Sequence, residues 1–181
     1  MFAARENTSP SEGWMQVRVG DSVVVPGCGV GLVEAVESMD LAGTGKPEQL
    51  YRIVFEDTDQ RRMWVPVDRV AEQNLRPVMT AALVEQTWEV IKTQEAPDSR
   101  ATWNRRQRRY SEMLMSNSPR SLAELLGELA AVRSEKPLSF TEKRMFRQVW
   151  DLLVGEITAS TGEDRSVIEA RMEKVVPTAA A

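Results

Sequence analysis

Residues that could contact nucleic acid collect in one short stretch of this chain, residues 102–110. The stretch begins with Thr102 and Trp103 and contains no acidic residue. An indole ring can stack on a base or separate neighbouring bases, and guanidinium groups bind phosphate oxygens through paired hydrogen bonds. The residue types therefore indicate contact with a duplex through Trp103 and the four arginines that follow it: Arg105, Arg106, Arg108 and Arg109.

A helix starting at this stretch would position those side chains. Thr102 is a residue type that caps helices, so Trp103 is predicted at the first helical position. At about 100° per residue, Arg105, Arg108 and Arg109 share one face, and Arg106 lies towards its side. However, a charged run on a helix is more often a solvated surface, and a tryptophan at a helix start is more often part of a core. Both interpretations stay open from this stretch alone.

Two residue types that commonly carry chemistry are almost missing. The sequence has no histidine and a single cysteine, Cys28. The lack of histidine excludes histidine-dependent catalysis and removes the commonest metal ligand, and a single thiol cannot form an internal disulfide. Carboxylate or lysine chemistry is not excluded in this way, but no motif indicates it. We therefore expect no enzymatic activity, no cofactor and no metal site.

The charge distribution restricts where nucleic acid could bind. The 181 residues carry a net charge of −4, and residues 1–75 hold seven Lys/Arg against twelve Asp/Glu. Residues 76–181 hold sixteen against fifteen, so any nucleic-acid contact must be local. No apolar run approaches the roughly 20 residues of a membrane span, and the N-terminus lacks the apolar segment of a signal peptide. We expect a cytoplasmic protein without membrane association.

Short alternating runs predict β-strands in the first part of the chain. Strands are expected at Ser22–Val25, 31–39, 50–55 and 61–66, with turn residues between them. Four or five short strands over about 50 residues are typical of a small, strongly bent barrel of SH3 or Tudor type. The glycine-rich segment 27–31 lacks the Lys-Ser/Thr of a phosphate-binding loop, so we interpret it as a tight strand connection that needs positive φ.

After Pro77 the apolar period becomes helical, and about five helices are predicted. The first is capped by Thr80, and the second carries Tyr110, Met113 and Leu114 inward. A third helix starts with Ser118 as its cap and Pro119 at the first helical position. Ser139 and Glu142 form a capping box before a fourth helix. Phe140 is the first apolar residue of that helix, which ends near Ala159. Thr161 with Asp164 is expected to cap the last helix.

The two periods predict an α+β fold, in which a small SH3/Tudor-like β-barrel precedes a compact bundle of about five helices. The predicted units are a disordered N-terminal extension at 1–15, a β domain at 16–72 and a helical domain at 78–177. The tail at 177–181 is expected to be frayed.

Several motifs in this order resemble the CarD/CdnL family of bacterial transcription regulators. In the β part, the similar segments are 19–26 (VGDSVVVP), 31–36 (GLVEAV) and Val65-Pro66. In the helical part, they are Trp103-x-Arg105-Arg106 and 138–145, which reads LSxxEKRM. The similarity covers roughly residues 17–175.

The resemblance implies a function that requires no catalysis. Family members bind the β subunit of RNA polymerase by pairing a sheet edge of the barrel with a partner strand. Their helical domain contacts promoter DNA at the upstream edge of the melted bubble, with a tryptophan as a wedge. The resemblance thus implies a regulator that acts as a monomer at the bacterial nucleoid.

Carried over by position, the wedge is Trp103, and Arg105, Arg106, Arg108 and Arg109 bind phosphates. The expected polymerase-facing residues are Met39, Arg61, Arg62, Met63, Trp64 and Val65. The family often has basic residues at the positions of Met39 and Trp64. The contact would then depend on Arg61, Arg62 and apolar surface, and a modified partner is an alternative.

Two other classes of function remain open from the residues. An enzyme would have to use carboxylate or lysine chemistry, since histidine is absent. In a protein-only adaptor, the barrel would bind a peptide strand and Trp103 would pack against the β domain, without DNA contact.

Overall fold

The computed structural model describes residues 17–40, 45–55, 61–93 and 103–176, except for the side chain of Trp103. Within these ranges, five antiparallel strands form one sheet with the order β4-β3-β2-β1-β5. The strands are β1 (Ser22–Val25), β2 (Gly29–Met39), β3 (Glu48–Phe55), β4 (Arg62–Pro66) and β5 (Arg76–Pro77). A sheet followed by helices confirms the predicted α+β class.

The glycine-rich segment is a tight connection between β1 and β2. Gly27 has a φ of 69° and Gly29 a φ of 96°, a backbone region that glycine adopts more readily than other residues. A Cβ atom at Gly31 would lie 2.4 Å from Cγ2 of Ile53, so a side chain there would collide with β3. These glycines therefore serve the sheet, as predicted, although β2 begins at Gly29, two residues earlier than expected.

One face of the sheet forms a separate apolar core. Its buried members come from four strands and the segment before β5: Val23, Val25, Val33, Ile53, Phe55, Val65 and Leu75. The register between β2 and β3 shifts between Val33 and Ala35, which is the mark of a bulge.

β5 was not predicted, because it has two residues and one of them is Pro77, which cannot donate a backbone hydrogen bond. It pairs with β1 through Val24↔Arg76 and Val23↔Pro77. The sheet therefore reaches residue 77, beyond the position 72 at which the β domain was expected to end.

Five helices follow in the described part of the chain: α1 (Ala81–Thr93), α2 (Trp103–Met115), α3 (Pro119–Glu135), α4 (Phe140–Thr161) and α5 (Arg165–Val175). Three predicted caps are present. Thr80 Oγ1 accepts from the Leu83 amide at 3.4 Å, and Ser118 caps α3 ahead of its first residue. Ser139 and Glu142 form the expected capping box at α4.

α3 lies in the centre of the helical part and packs against α1, α2 and α4. Its buried residues are Leu122, Ala123, Leu125, Leu126, Gly127, Glu128, Leu129, Ala130 and Val132. Phe140 departs from the predicted apolar pattern, because 83% of its surface is exposed.

The connection between α4 and α5 also differs from the prediction. α4 continues to Thr161 because Gly162, with a φ of 71°, ends it in a left-handed conformation. The prediction that Thr161 caps the last helix was wrong, since Asp164 occupies that position.

The predictions for residues 1–15 and 177–181 lie outside the described residues. Among the helices within the described ranges, none is long and apolar enough to cross a membrane. The same ranges contain no cluster of three or more histidine, cysteine or acidic side chains that could bind a metal ion.

Candidate nucleic-acid and protein interfaces

α2 is the element that carries the predicted nucleic-acid contact. Trp103 is its first residue, as the sequence indicated. The side chain of Trp103 lies outside the described part of the chain, so its role as a wedge stays a prediction.

The inward face of α2 is anchored by Tyr110, which is 1% exposed, with Met113 and Leu114 packed beside it. Burial raises the pKa of Tyr110 to about 12, and the nearby Glu128 carboxylate acts in the same direction. Arg109 and Arg106 oppose that shift, but the phenol remains neutral at physiological pH. Tyr110, which anchors α2, is therefore uncharged.

The outer face of α2 carries Arg105 and Arg108, both of which are exposed. Arg108 Nε lies 3.4 Å from Glu112 Oε1, and both side chains are largely in solvent. An ion pair of this kind contributes little and is easily exchanged for another anion. Within the described ranges no ion pair involves Arg105. These two guanidinium groups are thus available to an approaching phosphate.

Arg109 is held differently, because its Nη2 donates to Glu128 Oε2 on α3. Only 10% of the Glu128 side chain is exposed, and a buried carboxylate strongly requires a partner. Arg106, one turn earlier, is half-buried on the same side of α2. The predicted arginine face therefore contains three exposed residues, of which Arg109 is paired with a carboxylate of α3 and Arg108 with a carboxylate of its own helix.

Further cations lie at the start of α4, and the sequence interpretation did not assign them to the interface. Lys143, Arg144 and Arg147 follow on that helix and are exposed. In the sequence, these residues are visible as a run of cations after the capping box.

β4 forms one edge of the sheet and is the predicted polymerase contact. The Phe55 amide donates to the Arg61 carbonyl at 3.0 Å, which fixes the alternation of backbone groups along the strand. By that alternation, the backbone N–H and C=O groups of Arg62 and Trp64 point away from β3. The edge can therefore accept a partner strand until Pro66, which has no N–H to donate.

Trp64 lies on the outer surface of this edge, with 42% of the residue exposed. Its Nε1 donates to Glu37 Oε2 at 2.8 Å. Glu37 also accepts from Arg52, whose Nε lies 2.9 Å from Glu34 Oε2. This network holds the indole across the sheet, so Trp64 presents a fixed aromatic surface beside the strand edge.

The other predicted polymerase-facing residues occupy different environments. Met39, at the end of β2, Arg61 and Arg62 are exposed, and the Arg61 guanidinium lies 5.2 Å from the centre of the Phe55 ring. Met63 packs against the sheet core and Val65 is 3% exposed. Met63 and Val65 thus hold β4 on the sheet, and their side chains are not on its outer surface.

Two family models match this chain. The model of the CarD-like/TRCF RID domain matches residues 17–79, and that of the CarD C-terminal domain matches residues 86–173. YdeB of Bacillus subtilis (strain 168) is 22% identical over 145 residues, which are 80% of this chain and 92% of that protein. Its name describes it as a candidate transcription factor.

The two matched domains follow one another in the order of the sheet and the helical bundle, and together they include every described strand and most of the helical part. The first of them implies interaction with RNA polymerase. The chain therefore belongs to the CarD/CdnL family of transcription regulators.

Proposed function

We propose that the chain docks on the β subunit of RNA polymerase through β4 and stabilises the promoter open complex through α2. It would act as a monomer at the nucleoid, in the cytoplasm. The observation that carries the proposal is the exposed pair Arg105 and Arg108, on a helix that begins with Trp103, in a chain whose net charge is −4. A protein partner would bring α2, the most cationic of the described helices, to DNA in spite of the net negative charge.

Docking through β4 requires little from the sequence of the partner strand. Backbone groups of Arg62 and Trp64 supply the hydrogen bonds of strand addition. Trp64 and Met39 supply apolar surface at the positions where the family often has basic residues, and Arg62 supplies the cation. We infer that the partner strand places an apolar side chain over the indole that Glu37 holds.

Once the chain has docked, α2 is confined near the promoter, and its effective concentration there is high. Weak intrinsic affinity for DNA is then sufficient. Arg105 and Arg108 bind phosphates, and Trp103 occupies the junction between duplex and bubble, where the bases are already unstacked and a wedge costs less. A preference for the open over the closed promoter of about 1.4 kcal/mol shifts that equilibrium tenfold.

The experiment is in vitro transcription with purified polymerase and three proteins: the wild type, Trp103→Ala and Trp64→Ala. Trp103→Ala should shorten the open-complex lifetime about tenfold, a loss of about 1.4 kcal/mol, while polymerase binding is retained. Trp64→Ala is the matched control, since it should weaken polymerase binding and leave the affinity of the free protein for DNA unchanged. Equal open-complex lifetimes for Trp103→Ala and the wild type would contradict the wedge.

A protein-only adaptor is the second candidate. It is favoured by one observation, namely that Arg109 already has a carboxylate partner, Glu128, within the protein. The adaptor would bind polymerase through the same β4 edge but would leave no footprint on promoter DNA. Protection of the upstream bubble edge, lost in Trp103→Ala, distinguishes the proposed regulator from this adaptor.

A further inference from the structure

The sheet and the helical bundle are connected by a buried ion pair between Arg76 on β5 and Glu156 on α4. Arg76 Nη2 donates to Glu156 Oε2 at 2.8 Å, and Nη1 donates to the other carboxylate oxygen. Glu156 is 1% exposed. Two parallel hydrogen bonds between a guanidinium and a carboxylate fix both distance and angle, so this pair restrains the orientation of α4 relative to the sheet.

The segment that leads from β5 into α1 is fastened to the same helix. The Met79 amide donates to Glu156 Oε1 at 2.9 Å, and the Met79 carbonyl accepts from Ser160 Oγ at 2.6 Å. Both backbone groups of Met79 are therefore bound by α4. The connection between the domains is thus held on the bundle and does not behave as a free linker.

Asn117, in the turn before α3, adds a third attachment. Its Nδ2 donates to the Val24 carbonyl on β1 and to the Asn74 carbonyl, each at 3.0 Å. Its own carbonyl accepts from Arg76 Nε. Asn117 is 3% exposed, so water does not compete well for these hydrogen bonds.

These contacts fasten the β5 side of the sheet, whereas β4 lies at the opposite edge. Domains that share only a small polar surface usually move relative to one another. Here Asn117 is bonded to β1, Glu156 is bonded to Arg76 of β5, and Met79 is bonded to α4. These hydrogen bonds restrain the distance and direction from β4 to α2.

We propose that Arg76, Asn117 and Glu156 are positioning residues, which hold α2 at one place relative to the docked β4 edge. This inference rests on the proposed function. Without the hydrogen bonds of these three residues, the bound protein would present α2 in many orientations. The effective concentration of Trp103 and Arg105 at the bubble edge would then fall. The orientation of the two domains, and not only the affinity of each for its partner, thus sets the effect on the promoter.

The test is a triple variant, Arg76→Met, Glu156→Gln and Asn117→Gly. Removing both charges together avoids a buried unpaired ion, and glycine keeps the positive φ of 53° at position 117. The matched control is Arg120→Met with Glu124→Gln. It removes an ion pair within α3 and leaves the contacts between the sheet and the helical bundle intact. Asn117→Gly alone serves as the milder variant if the triple variant does not fold.

Pulsed electron paramagnetic resonance measures the spread of distances between the sheet and the helical bundle. Spin labels are attached at Lys46→Cys and Val167→Cys, both exposed positions, in a Cys28→Ser background. We expect a single narrow distance distribution in the wild type and the control, and a broad distribution in the triple variant. An equally narrow distribution in the triple variant would overturn the proposal.

The functional readout uses the same proteins without labels. The triple variant should bind polymerase alone and DNA alone within about twofold of the wild type, yet shorten the open-complex lifetime about fivefold. An unchanged lifetime despite a broadened distance distribution also overturns the proposal. A wild type without effect on open complexes overturns the proposed function instead, and the distance distributions then still decide whether these residues fix the orientation.

Discussion

Asn74 and Asn117 each donate a side-chain hydrogen bond to the backbone at or beside the other residue. Asn74 Nδ2 donates to the Ser116 carbonyl at 2.9 Å, and Asn117 Nδ2 donates to the Asn74 carbonyl at 3.0 Å. Both residues have a φ of 53°, a left-handed conformation that asparagine tolerates better than most residues. The turn before β5 and the turn before α3 are therefore bonded to each other by two residues that share the same uncommon backbone.

Replacement of Asn117 by alanine should destabilise the protein by about 2–3 kcal/mol, since it leaves buried carbonyls without donors and strains a positive φ. Asn117→Gly removes the same amide without the strain, so it should cost about 1 kcal/mol less. Urea unfolding of the two variants measures the difference. Equal losses in both variants would show that the backbone conformation contributes nothing.

Replacement of Arg105 by alanine should weaken binding to promoter DNA and reduce the slope of log K against log salt by about 0.9, because one phosphate contact is lost. Arg120→Ala is the control, since it removes an exposed arginine from α3 outside the predicted DNA contact and should leave the slope unchanged. Fluorescence anisotropy from low to moderate salt provides the slopes. An unaltered slope for Arg105→Ala would remove this residue from the DNA interface.

Glu128 restrains Arg109, and Glu128→Gln should therefore strengthen DNA binding. The neutral amide retains hydrogen-bonding capacity towards the guanidinium but no longer balances its charge. We expect the salt slope to steepen by up to about 0.9, the value for one further phosphate contact. A matched change at a partly buried carboxylate of α3 that is paired with Arg120, Glu124→Gln, should have a smaller effect. Weaker binding by Glu128→Gln would instead mean that the carboxylate orients Arg109 towards phosphate.

Tyr110 links the packing of α2 to pH. Its pKa is raised from 10.0 to about 12, first by burial and then by Glu128. The folded protein holds the phenolic proton more tightly than the unfolded chain does. The free energy of unfolding is therefore not reduced by this group below pH 10, and it falls as the pH rises towards 12. The loss amounts to roughly 3 kcal/mol at most.

The unfolding free energy at pH 9 and pH 11.5 measures this dependence. Tyr110→Phe keeps the ring but cannot ionise, so the variant should lose less stability over that interval than the wild type. The same loss in both proteins would assign the alkaline sensitivity to other groups.

Sequence pattern was sufficient for the elements that obey local rules. Alternation predicted β2 and β3, and the capping box of Ser139 and Glu142 marked the start of α4, because both signals depend on residues within a few positions of each other. The motifs that resemble the family also lie within such elements. The α+β class followed from the change of period after Pro77.

The contacts between distant segments could not be predicted in this way. Arg76 and Glu156 are 80 positions apart, and nothing local distinguishes Glu156 from a surface glutamate of α4. β5 escaped detection because it has two residues, and Arg109 was assigned to an open face because its partner Glu128 is 19 positions away. Helical spacing places a residue on a face, but only the packing of helices decides what that face meets.

The arrangement of the sheet leaves one edge at which another chain could pair. Among the described strands, β5 is fastened to the bundle at one side, and β4 is left at the other as the strand to which a further chain can add. A second copy that added to this sheet by strand pairing would use the same β4 edge that we propose for polymerase docking. On the proposed function, strand pairing between two copies would therefore compete with docking.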